Sequence, residues 1–337
     1  MDLYGKDMIC TQEWGVKELE AVLELAFKMK RDRYSPRWTK LLEHKTFLMF
    51  FYNPSVRTRQ SFEAAATELG GHAQFLEPRA MRLKTATTAG ETVEDAAQVM
   101  SRYAAGLGIR ILEDKISAYG EGDRLLREYA KWATIPVISM AHDKFHPCQG
   151  LADLMGLREH RGDLRGKKTL LTWGCGALAR SWCSPQEYLL ITSRFGMNVT
   201  LAYPEGYDLD PEVIAQVRAN CEANGTTFEI IHDVRAGYRG AHVVYSRHWM
   251  SPEAYRGGVF HKQEEIEKAL QYPEWICDAE KMALTDNAIF THPMPVDRGR
   301  EVTDEVASGP RSCIYDVAEN RLHVQKAIMA LTMGGFD

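Results

Sequence analysis

Strand patterns and helix patterns alternate along this chain, and the alternation occurs twice. The first series contains strands at 46–52 and 72–77 on either side of a helix at 57–69. A second series begins with the apolar run 168–173 and continues through a helix at 185–195. Strands that are separated by helices form parallel sheets with helices on both faces. The sequence therefore predicts an α/β protein with two doubly wound parallel-sheet domains that are linked by helices.

The length of the chain fits a two-domain arrangement. A chain of 337 residues is longer than one average domain and suits two domains of about 150 residues each. We predict a first domain over residues 1–145 and a second over 146–316. The last helical pattern, 317–335, is predicted to pack back on the first domain, and a strand is predicted at 312–316 directly before it.

The composition and the first residues argue against several classes of function. The formal net charge of −5 gives no basic field that would attract nucleic acid. The chain shows neither a secretion signal at its start nor a run of about 18 apolar residues. The seven cysteines form no CxxC pair, which argues against a disulfide framework and a structural zinc site. We therefore expect a cytoplasmic protein with neither a membrane nor a nucleic-acid partner.

Two arginines begin the helix that follows the first strand. A turn at 53–55 leads into this helix, and Arg57 and Arg59 lie in its first turn. The free N–H groups at a helix start carry partial positive charge, so cations there are unfavourable unless an anion binds. These N–H groups and the guanidinium groups together suit phosphate oxygens. The stretch predicts a phosphate or acyl-phosphate pocket; the alternative is that the arginines are solvated or pair with Glu63 or Glu68.

Other polar residues lie at strand ends and helix starts, where α/β proteins bind ligands. Arg110 lies near the end of the apolar strand 107–112 and is a third candidate for an anion ligand. His146 and Gln149 flank the start of a helix at Pro147, where they could polarise a carbonyl group or hydrogen-bond an amide. For these two residues the alternative is simple capping of the helix.

A loop without periodicity follows the second strand. Residues 78–90 are first basic and then rich in threonine. A loop of this length is often functional. Arg79, Arg82 and Lys84 could close over an anion, or they could belong to a solvated surface.

Three further kinds of site are only weakly indicated. His142 and His146 have the spacing of two metal ligands on a helix but lack the glutamate of HExxH, so we predict no metal site. Cys148 could be a nucleophile, although a small buried thiol is the simpler interpretation. The Gly-x-Gly pair at 174–176 follows a strand, as in dinucleotide sites, but Ala179 stands where the third glycine would be.

Five motifs, in order, resemble the aspartate/ornithine carbamoyltransferase family. They are PSVRTR at 54–59, IR at 109–110, HPCQ at 146–149, HPMP at 292–295 and AENRLHVQKAIM at 318–329. The stretch 167–213 is similar to the knotted branch of that family, which contains the N-acetylornithine, N-succinylornithine and ureidoglycine-type carbamoyltransferases. This resemblance implies a trefoil knot in the second domain.

The resemblance also implies roles for the two domains. The first would bind carbamoyl phosphate and the second an amine acceptor. The implied ligands of carbamoyl phosphate are Ser55, Val56, Arg57, Thr58, Arg59, Arg110, His146, Gln149, His292, Pro293 and Arg321. The implied catalytic residues are Arg57, Arg110, His146, Gln149 and Arg321. The family needs no metal or organic cofactor, and its members are homotrimers with shared active sites, into which the 78–90 loop of a neighbour would reach.

The motif at 292–295 bears on the identity of the acceptor. Ornithine members carry HCLP there, and Pro293 replaces that cysteine, which argues against plain ornithine. Where the acetylornithine enzyme has an acid, an arginine and a lysine, this chain has His142, Asp297 and Glu301. The loss of cations and the gain of carboxylates predict that no acceptor carboxylate binds near Asp297, which could instead bind an amide, ureido or cationic group.

We therefore predict transfer of a carbamoyl group from carbamoyl phosphate to the amine of an N-acylated ornithine or a ureidoglycine-like compound, in amino-acid metabolism such as arginine biosynthesis. The residues predicted to bind the acceptor are His142, Arg247, Met294, Pro295, Asp297 and Arg298. Arg247, Arg298 or Arg300 could hold an acceptor carboxylate. The alternatives are a plain ornithine carbamoyltransferase, a catalytically silent family member with a binding role, and a dinucleotide-dependent oxidoreductase.

Overall fold

The two series of strands form two parallel sheets, as predicted. The computed structural model describes residues 2–77 and 89–335. The chain divides into two units, each with one of the sheets. The first unit comprises Met1–Leu151 and Asn320–Asp337, and the second comprises Ala152–Glu319.

The sheet of the first unit has four strands in the order β2-β1-β3-β4. They are β1 (Thr46–Phe51), β2 (His72–Leu76), β3 (Gly106–Ile111) and β4 (Val137–His142). The central strands are almost wholly buried because helices cover both faces of a parallel sheet, whereas the edge strand β2 is half exposed. The other edge is covered: Met8 N donates to Val137 O at 2.9 Å, and Ser139 N donates to Met8 O at 2.8 Å.

The helices of the first unit include the two predicted at 57–69 and from Pro147, which begin within one residue of those positions. They are α1 (Val16–Arg31), α2 (Val56–Glu68), α3 (Val93–Tyr103), α4 (Glu121–Trp132) and α5 (Pro147–Arg161), the last of which continues into the second unit. Helix α2 ends at Glu68, shortly before the glycine pair at 70–71. Gly70 has a φ of 82°, a backbone conformation that residues with a Cβ rarely adopt.

The sheet of the second unit has five strands in the order β7-β6-β5-β8-β9. They are β5 (Lys168–Trp173), β6 (Asn198–Ala202), β7 (Phe228–Ile231), β8 (Val243–Arg247) and β9 (Ile289–Thr291). The accompanying helices are α6 (Cys183–Arg194), α7 (Pro211–Asn224), α8 (Val234–Tyr238), α9 (Lys262–Ala269), α10 (Ala279–Met282), α11 (Asp304–Ala307) and α12 (Ile314–Thr332), which continues into the first unit.

The predicted strand at 312–316 was wrong. Ser312 makes an isolated parallel bridge to Phe290, and Cys313 N donates to Phe290 O at 2.9 Å. The chain then turns into α12, because Val317 N already donates to Cys313 O at 3.0 Å. Pairing with β9 therefore lasts for only two residues before the helix begins.

The direction in which strands are added reverses once in each sheet. In the first sheet β2 and β3 lie on opposite sides of β1, and in the second β6 and β8 lie on opposite sides of β5. Ligands of α/β proteins bind outside the carboxyl ends of strands at such a reversal. The ends of β1 and β3 in the first unit, and of β5 and β8 in the second, are therefore the places where binding residues are expected.

None of the seven cysteines forms a disulfide, and all seven are buried. Burial raises the pKa of the thiols of Cys175, Cys221, Cys277 and Cys313, which keeps them protonated. Among the described helices, none combines the length and the apolar character that crossing a membrane would require.

Candidate active site

Two side chains fix the turn between β1 and α2. Ser55 is the N-cap of α2, and its Oγ accepts a hydrogen bond from Thr58 N at 3.3 Å. The side-chain oxygen of Asn53 accepts one from Leu112 N at 2.6 Å, which ties the turn to the end of β3. The cap confirms the predicted helix start, where N–H groups can bind an anion. Asn53 was predicted only as part of the turn at 53–55, although asparagine side chains commonly bond backbone groups at such turns.

Three of the residues implied to bind carbamoyl phosphate contact one another in the first unit. Arg321 Nη1 donates to Gln149 Oε1 at 2.9 Å, and Arg321 Nη2 donates to Thr58 Oγ1 at 3.3 Å. Their exposed fractions are only 6%, 1% and 2% for Arg321, Gln149 and Thr58. Residues from α2, α5 and α12 therefore meet at the first turn of α2.

A buried lysine fixes α12 against the other end of α2. Lys326 is fully buried, and its Nζ donates to Glu68 Oε2 at 2.8 Å and to Arg33 O at 2.9 Å. Burial alone would raise the pKa of Glu68, but hydrogen bonds from Arg33 and Lys326 outweigh this and lower it. Helix α12 is thus held against α2 at both ends of α2.

The other arginines near this turn differ in their surroundings. Arg57 is exposed, as is the neighbouring Val56. The Arg59 Nε donates to Glu63 Oε1 at 2.8 Å, and its guanidinium lies 4.1 Å from the centre of the Phe75 ring. The ion-pair alternative considered for these arginines is therefore present for Arg59.

Arg110 and His146 also belong to the first unit. Tyr52 N donates to Arg110 O at 2.9 Å, so Arg110 is next to the strand that leads into the arginine turn. His146 is 5% exposed and its backbone oxygen accepts from Gln149 N at 2.9 Å, at the start of α5. The roles of both residues toward a ligand stay predictions.

His142 has partners on both sides of its ring. Its Nδ1 lies 2.8 Å from Ser139 Oγ, and its Nε2 lies 3.3 Å from Asp123 Oδ1. Burial would raise the pKa of Asp123, but the bond with His142 and that with Arg127 outweigh it and lower the pKa to about 2. Because the side chain of His142 is fully buried within this network, we do not include it in the acceptor site proposed below.

The loop at 78–90 was predicted to carry cations that could close over an anion. Its residues Arg79, Arg82 and Lys84 lie outside the described part of the chain.

In the second unit, the glycine pair after β5 packs against the chain that follows β8. Gly174 N donates to Arg247 O at 3.0 Å, and a Cβ at Gly176 would lie 2.8 Å from His248 Cβ and Cγ. The next helix, α6, begins only at Cys183, whereas a dinucleotide site places its helix directly at the glycine motif. Close packing against His248 therefore accounts for the glycine spacing.

Two arginines converge on one carbonyl group at the reversal point of the second sheet. Arg180 Nη2 donates to Pro295 O at 3.2 Å, and Arg247 Nη1 donates to the same oxygen at 3.4 Å. Arg247 ends β8, opposite Trp173 at the end of β5. Arg180 was missed in the sequence, because nothing in the local pattern of 174–185 distinguishes an arginine that faces a distant carbonyl.

Glu301 is the centre of a buried hydrogen-bond network in this unit. It is fully buried; its Oε1 accepts from His248 N at 2.8 Å, and its Oε2 accepts from Asp297 N at 2.8 Å. The Nε2 of His292 lies 3.1 Å from Oε2, and Arg247 Nη1 lies 3.6 Å from Oε1. Burial alone would raise the pKa of Glu301, but the positive charges nearby and the His292 bond outweigh it, so the group is ionised.

The remaining residues of the 292–298 loop have partners within the unit. His292 is fully buried, and its Nδ1 accepts from Met294 N at 2.9 Å before the cis peptide bond Met294–Pro295. Pro293 is also buried. Asp297 Oδ2 accepts from Ala177 N at 2.9 Å. This loop is therefore tied both to the chain after β5 and to Glu301.

Arg298 faces another part of the unit. Its Nη1 donates to Asp304 Oδ1 at 2.7 Å and to Ser308 Oγ at 2.9 Å, and the residue is exposed. Its predicted contact with the acceptor is untested, and these partners hold it on the surface beside α11.

Stability should depend on pH through the buried His248. Burial lowers its pKa to about 4, whereas an unfolded histidine titrates near 6.5. Below pH 6.5 the unfolded chain takes up a proton that the folded chain does not, so the free energy of unfolding falls with falling pH until about pH 4. From pH 7 to pH 5 this residue should contribute a loss of about 2 kcal/mol. Urea unfolding at pH 7, 6 and 5 measures it.

The variant His248→Asn provides the comparison, because its amide can still donate to Gly174 O, which His248 Nδ1 contacts at 3.1 Å. We expect a flatter pH dependence in this variant. Equal slopes for the variant and the parent protein would show that His248 does not titrate as inferred.

The described residues contain no group of three or more His, Cys, Asp or Glu side chains arranged to hold a metal ion. His142 and His146, the pair with metal-ligand spacing, do not form part of such a group. Cys148 is buried, and its Sγ lies 3.7 Å from Ser139 O.

Comparisons with known proteins define the family. Residues 6–159 match the family model described as "Aspartate/ornithine carbamoyltransferase, carbamoyl-P binding domain". Residues 185–332 match the model described as "Aspartate/ornithine carbamoyltransferase, Asp/Orn binding domain". The chain belongs to the aspartate/ornithine carbamoyltransferase family. It is a carbamoyltransferase enzyme, as its sequence motifs predicted.

Individual relatives match over nearly the whole chain. The anabolic ornithine carbamoyltransferase of Pyrococcus furiosus is 36% identical over 335 residues, which cover 99% of this chain and 98% of that protein. The N-acetylornithine carbamoyltransferase of Xanthomonas campestris pv. campestris is 37% identical over 344 residues, with 98% of each chain covered. The crystal structure of an acetylornithine transcarbamylase complexed with acetylcitrulline superposes with a TM-score of 0.89 at 36% identity, covering 97% of this chain and 99% of that one.

Proposed function

We propose that this enzyme transfers the carbamoyl group of carbamoyl phosphate to the primary amine of an N-acylated ornithine. The observation that carries the donor half of the proposal is the contact of Arg321 with Gln149 and Thr58 at the start of α2. A helix N-terminus, a capping serine and a guanidinium beside it suit a phosphate group. The family match over residues 6–159 supports carbamoyl phosphate as the phosphate compound.

In the proposed mechanism, the uncharged amine attacks the carbamoyl carbon and a carbon–nitrogen bond forms. The bond between that carbon and the bridging oxygen of the phosphate breaks, and the leaving phosphate takes the proton that the amine gives up. Arg57 and Arg110 would neutralise the phosphate and the developing oxyanion, while His146, Gln149 and Arg321 would hold the carbonyl oxygen. Such charge-assisted hydrogen bonds strengthen as negative charge builds on the oxygen.

The acceptor half of the proposal concerns the second unit. Arg180 and Arg247 approach the same Pro295 carbonyl at 3.2 and 3.4 Å, so two positive charges lie at the reversal point of that sheet. A guanidinium binds a carboxylate with two parallel hydrogen bonds. We therefore assign the carboxylate of the acceptor to Arg180 and Arg247, and the amide end of the acceptor to the 292–297 loop.

The burial of Glu301 alters the charge expected around the acceptor in the second unit. Glu301 was predicted to add a carboxylate beside the acceptor, but its oxygens accept bonds from His248 N and Asp297 N inside the unit. Its charge is opposed by Arg247 at 3.6 Å. A carboxylate-bearing acceptor is therefore compatible with the second unit, provided that it binds at the arginines rather than beside Asp297.

One observation favours an N-acylated ornithine: the solved structure that superposes with a TM-score of 0.89 is an acetylornithine transcarbamylase. Pro293, in place of the cysteine that the resemblance leads us to expect, argues only against plain ornithine. Sequence identity alone does not separate the two, since relatives of both kinds are 36% and 37% identical. A ureidoglycine-like acceptor is the second candidate, favoured by Asp297 in place of a cation.

Phosphate release from carbamoyl phosphate tests the proposal. N-acetyl-L-ornithine, N-succinyl-L-ornithine, L-ornithine and an amine bearing a ureido group should be compared under the same conditions. We expect kcat/KM for an N-acylated ornithine to exceed that for ornithine by about 100-fold, because a site that hydrogen-bonds a group discriminates against the analogue without it. Preference for plain ornithine would contradict the acceptor assignment, and no turnover with any amine would indicate a silent family member.

We also propose that the second unit is knotted, that the protein is a homotrimer, and that it is cytoplasmic. Supporting the knot, Met250 N donates to Arg180 O at 3.0 Å and the Trp182 indole donates to Met250 O at 2.8 Å, so the segment after β8 lies against the segment after β5. Seven cysteines that form no disulfide suit a reducing compartment. Light scattering should give the mass of three chains.

A further inference from the structure

The carboxylate of Glu301 is surrounded by hydrogen-bond donors. Oε1 accepts from His248 N, Oε2 accepts from Asp297 N, and Arg247 approaches Oε1. The fourth partner, His292 Nε2, lies 3.1 Å from Oε2. Three of the four partners are donors by chemistry alone, because a backbone N–H and a guanidinium cannot accept.

The protonation of His292 follows from its other neighbour. Met294 N donates to His292 Nδ1 at 2.9 Å, so Nδ1 must carry a lone pair. In the neutral imidazole the proton is then on Nε2, which donates to Glu301. Burial lowers the pKa of His292, which favours this neutral form. All three hydrogen-bond partners of Glu301 therefore donate, and only an ionised carboxylate can accept from all three while it also pairs with the charge of Arg247 at 3.6 Å.

The partners of Glu301 belong to the two segments that carry the proposed acceptor ligands. His248 follows Arg247 directly, and Asp297 follows the turn that presents the Pro295 carbonyl. His292 begins that turn and bonds Met294 within it. The carboxylate therefore fixes the position of the end of β8 relative to the 292–297 loop.

We infer that Glu301 is a positioning residue for the acceptor: it sets Arg247 and the 292–297 loop in the arrangement that binds the acceptor, although it does not itself touch the substrate. This inference rests on the proposed function for the location of the acceptor site. It extends that proposal by assigning specificity to a buried group behind the site. The residue acts on the acceptor and not on carbamoyl phosphate, since each of its partners belongs to the second unit.

The variant Glu301→Gln tests this inference. It keeps the size of the side chain but replaces one acceptor oxygen with an NH2 group. At least one hydrogen-bond donor then faces another donor and loses its bond. We expect KM for the acceptor to rise about tenfold, while KM for carbamoyl phosphate stays within about twofold and kcat within about threefold. Steady-state kinetics with each substrate varied in turn measure this split.

Glu265→Gln is the matched control. Glu265 is also a buried carboxylate of the second unit, and it accepts from Ser251 N at 2.6 Å and from Ser251 Oγ at 2.7 Å. Loss of this carboxylate should lower the thermal midpoint but leave KM for the acceptor unchanged. A purely structural Glu301 would behave like Glu265, with a lower midpoint and normal kinetics, and that result would overturn the inference.

A second variant covers the case in which Glu301→Gln does not fold. Glu301→Asp remains an acceptor on both oxygens but is one methylene shorter, so it cannot keep all three hydrogen bonds together with the Arg247 ion pair. A rise of about threefold or more in KM for the acceptor alone supports the inference, and an unchanged KM overturns it. Wild-type enzyme that uses a different amine would contradict the proposed function only, and the same variants would then be measured with that amine.

Discussion

Replacement of Arg57 by alanine is expected to lower kcat/KM for carbamoyl phosphate about 1,000-fold. Arg57 lies in the first turn of α2, two residues after the Ser55 cap, where the helix terminus already favours an anion. Its guanidinium would form two charge-assisted bonds to the phosphate, each worth about 1.5 to 3 kcal/mol. Their loss would act mainly on the donor, so KM for the amine should change little. Initial rates of phosphate release measure the effect.

Arg102→Ala is the control for this change. Arg102 is exposed in the last turn of α3, within the same unit, and its removal takes away an equal charge. We expect near-normal turnover in that variant. If Arg57→Ala turned over carbamoyl phosphate at the wild-type rate, the assignment of the arginine turn as the donor site would fail.

Replacement of Arg247 by methionine should raise KM for the acceptor about 30-fold. The side chain is almost fully buried, and its Nη1 faces the Pro295 carbonyl at 3.4 Å and Glu301 at 3.6 Å. Methionine fills similar space but offers no donor, so the acceptor carboxylate would lose about 2 kcal/mol of charge-assisted bonding. KM for carbamoyl phosphate should stay within about threefold.

The exposed Arg235 offers the comparison for Arg247. Its Nη1 lies 3.7 Å from Glu280 Oε2, in a surface ion pair of the kind that contributes little. Arg235→Met should leave both Michaelis constants unchanged. A loss of carbamoyl phosphate binding in Arg247→Met as large as the loss of acceptor binding would contradict the placement of Arg247 at the acceptor.

The parts of the fold that local sequence determines were predictable. Buried parallel strands are continuous apolar runs, which located the strands. Ser55 caps the start of α2 and Gly70 lies just after its end, which located that helix. The strand at 312–316 failed because Ser312 and Cys313 do pair with β9, but the helical bonds from Cys313 onward take over. Secondary-structure propensity cannot predict the residue at which helical hydrogen bonds replace the strand pairing.

The candidate site was predictable only where motifs marked it. The resemblance grouped Thr58, Gln149 and Arg321, and Arg321 contacts each of the other two, while their roles toward a ligand stay predictions. Glu301 was predicted to face the acceptor because its burial depends on His248, which lies 53 residues away and is brought to it by the folding of the whole unit. Arg180 carried no local signal for the same reason. Partners that are distant along the chain leave no periodic trace in the sequence.

The seven buried thiols provide a natural probe of local opening. Cys10 and Cys148 report on the first unit, and the other five report on the second, without any engineered label. A thiol reagent can modify each of them only when the surrounding structure opens, so the modification rate of each cysteine gives the opening free energy at that point. Mass spectrometry of the labelled peptides, with and without each substrate, would then show which unit each ligand stabilises.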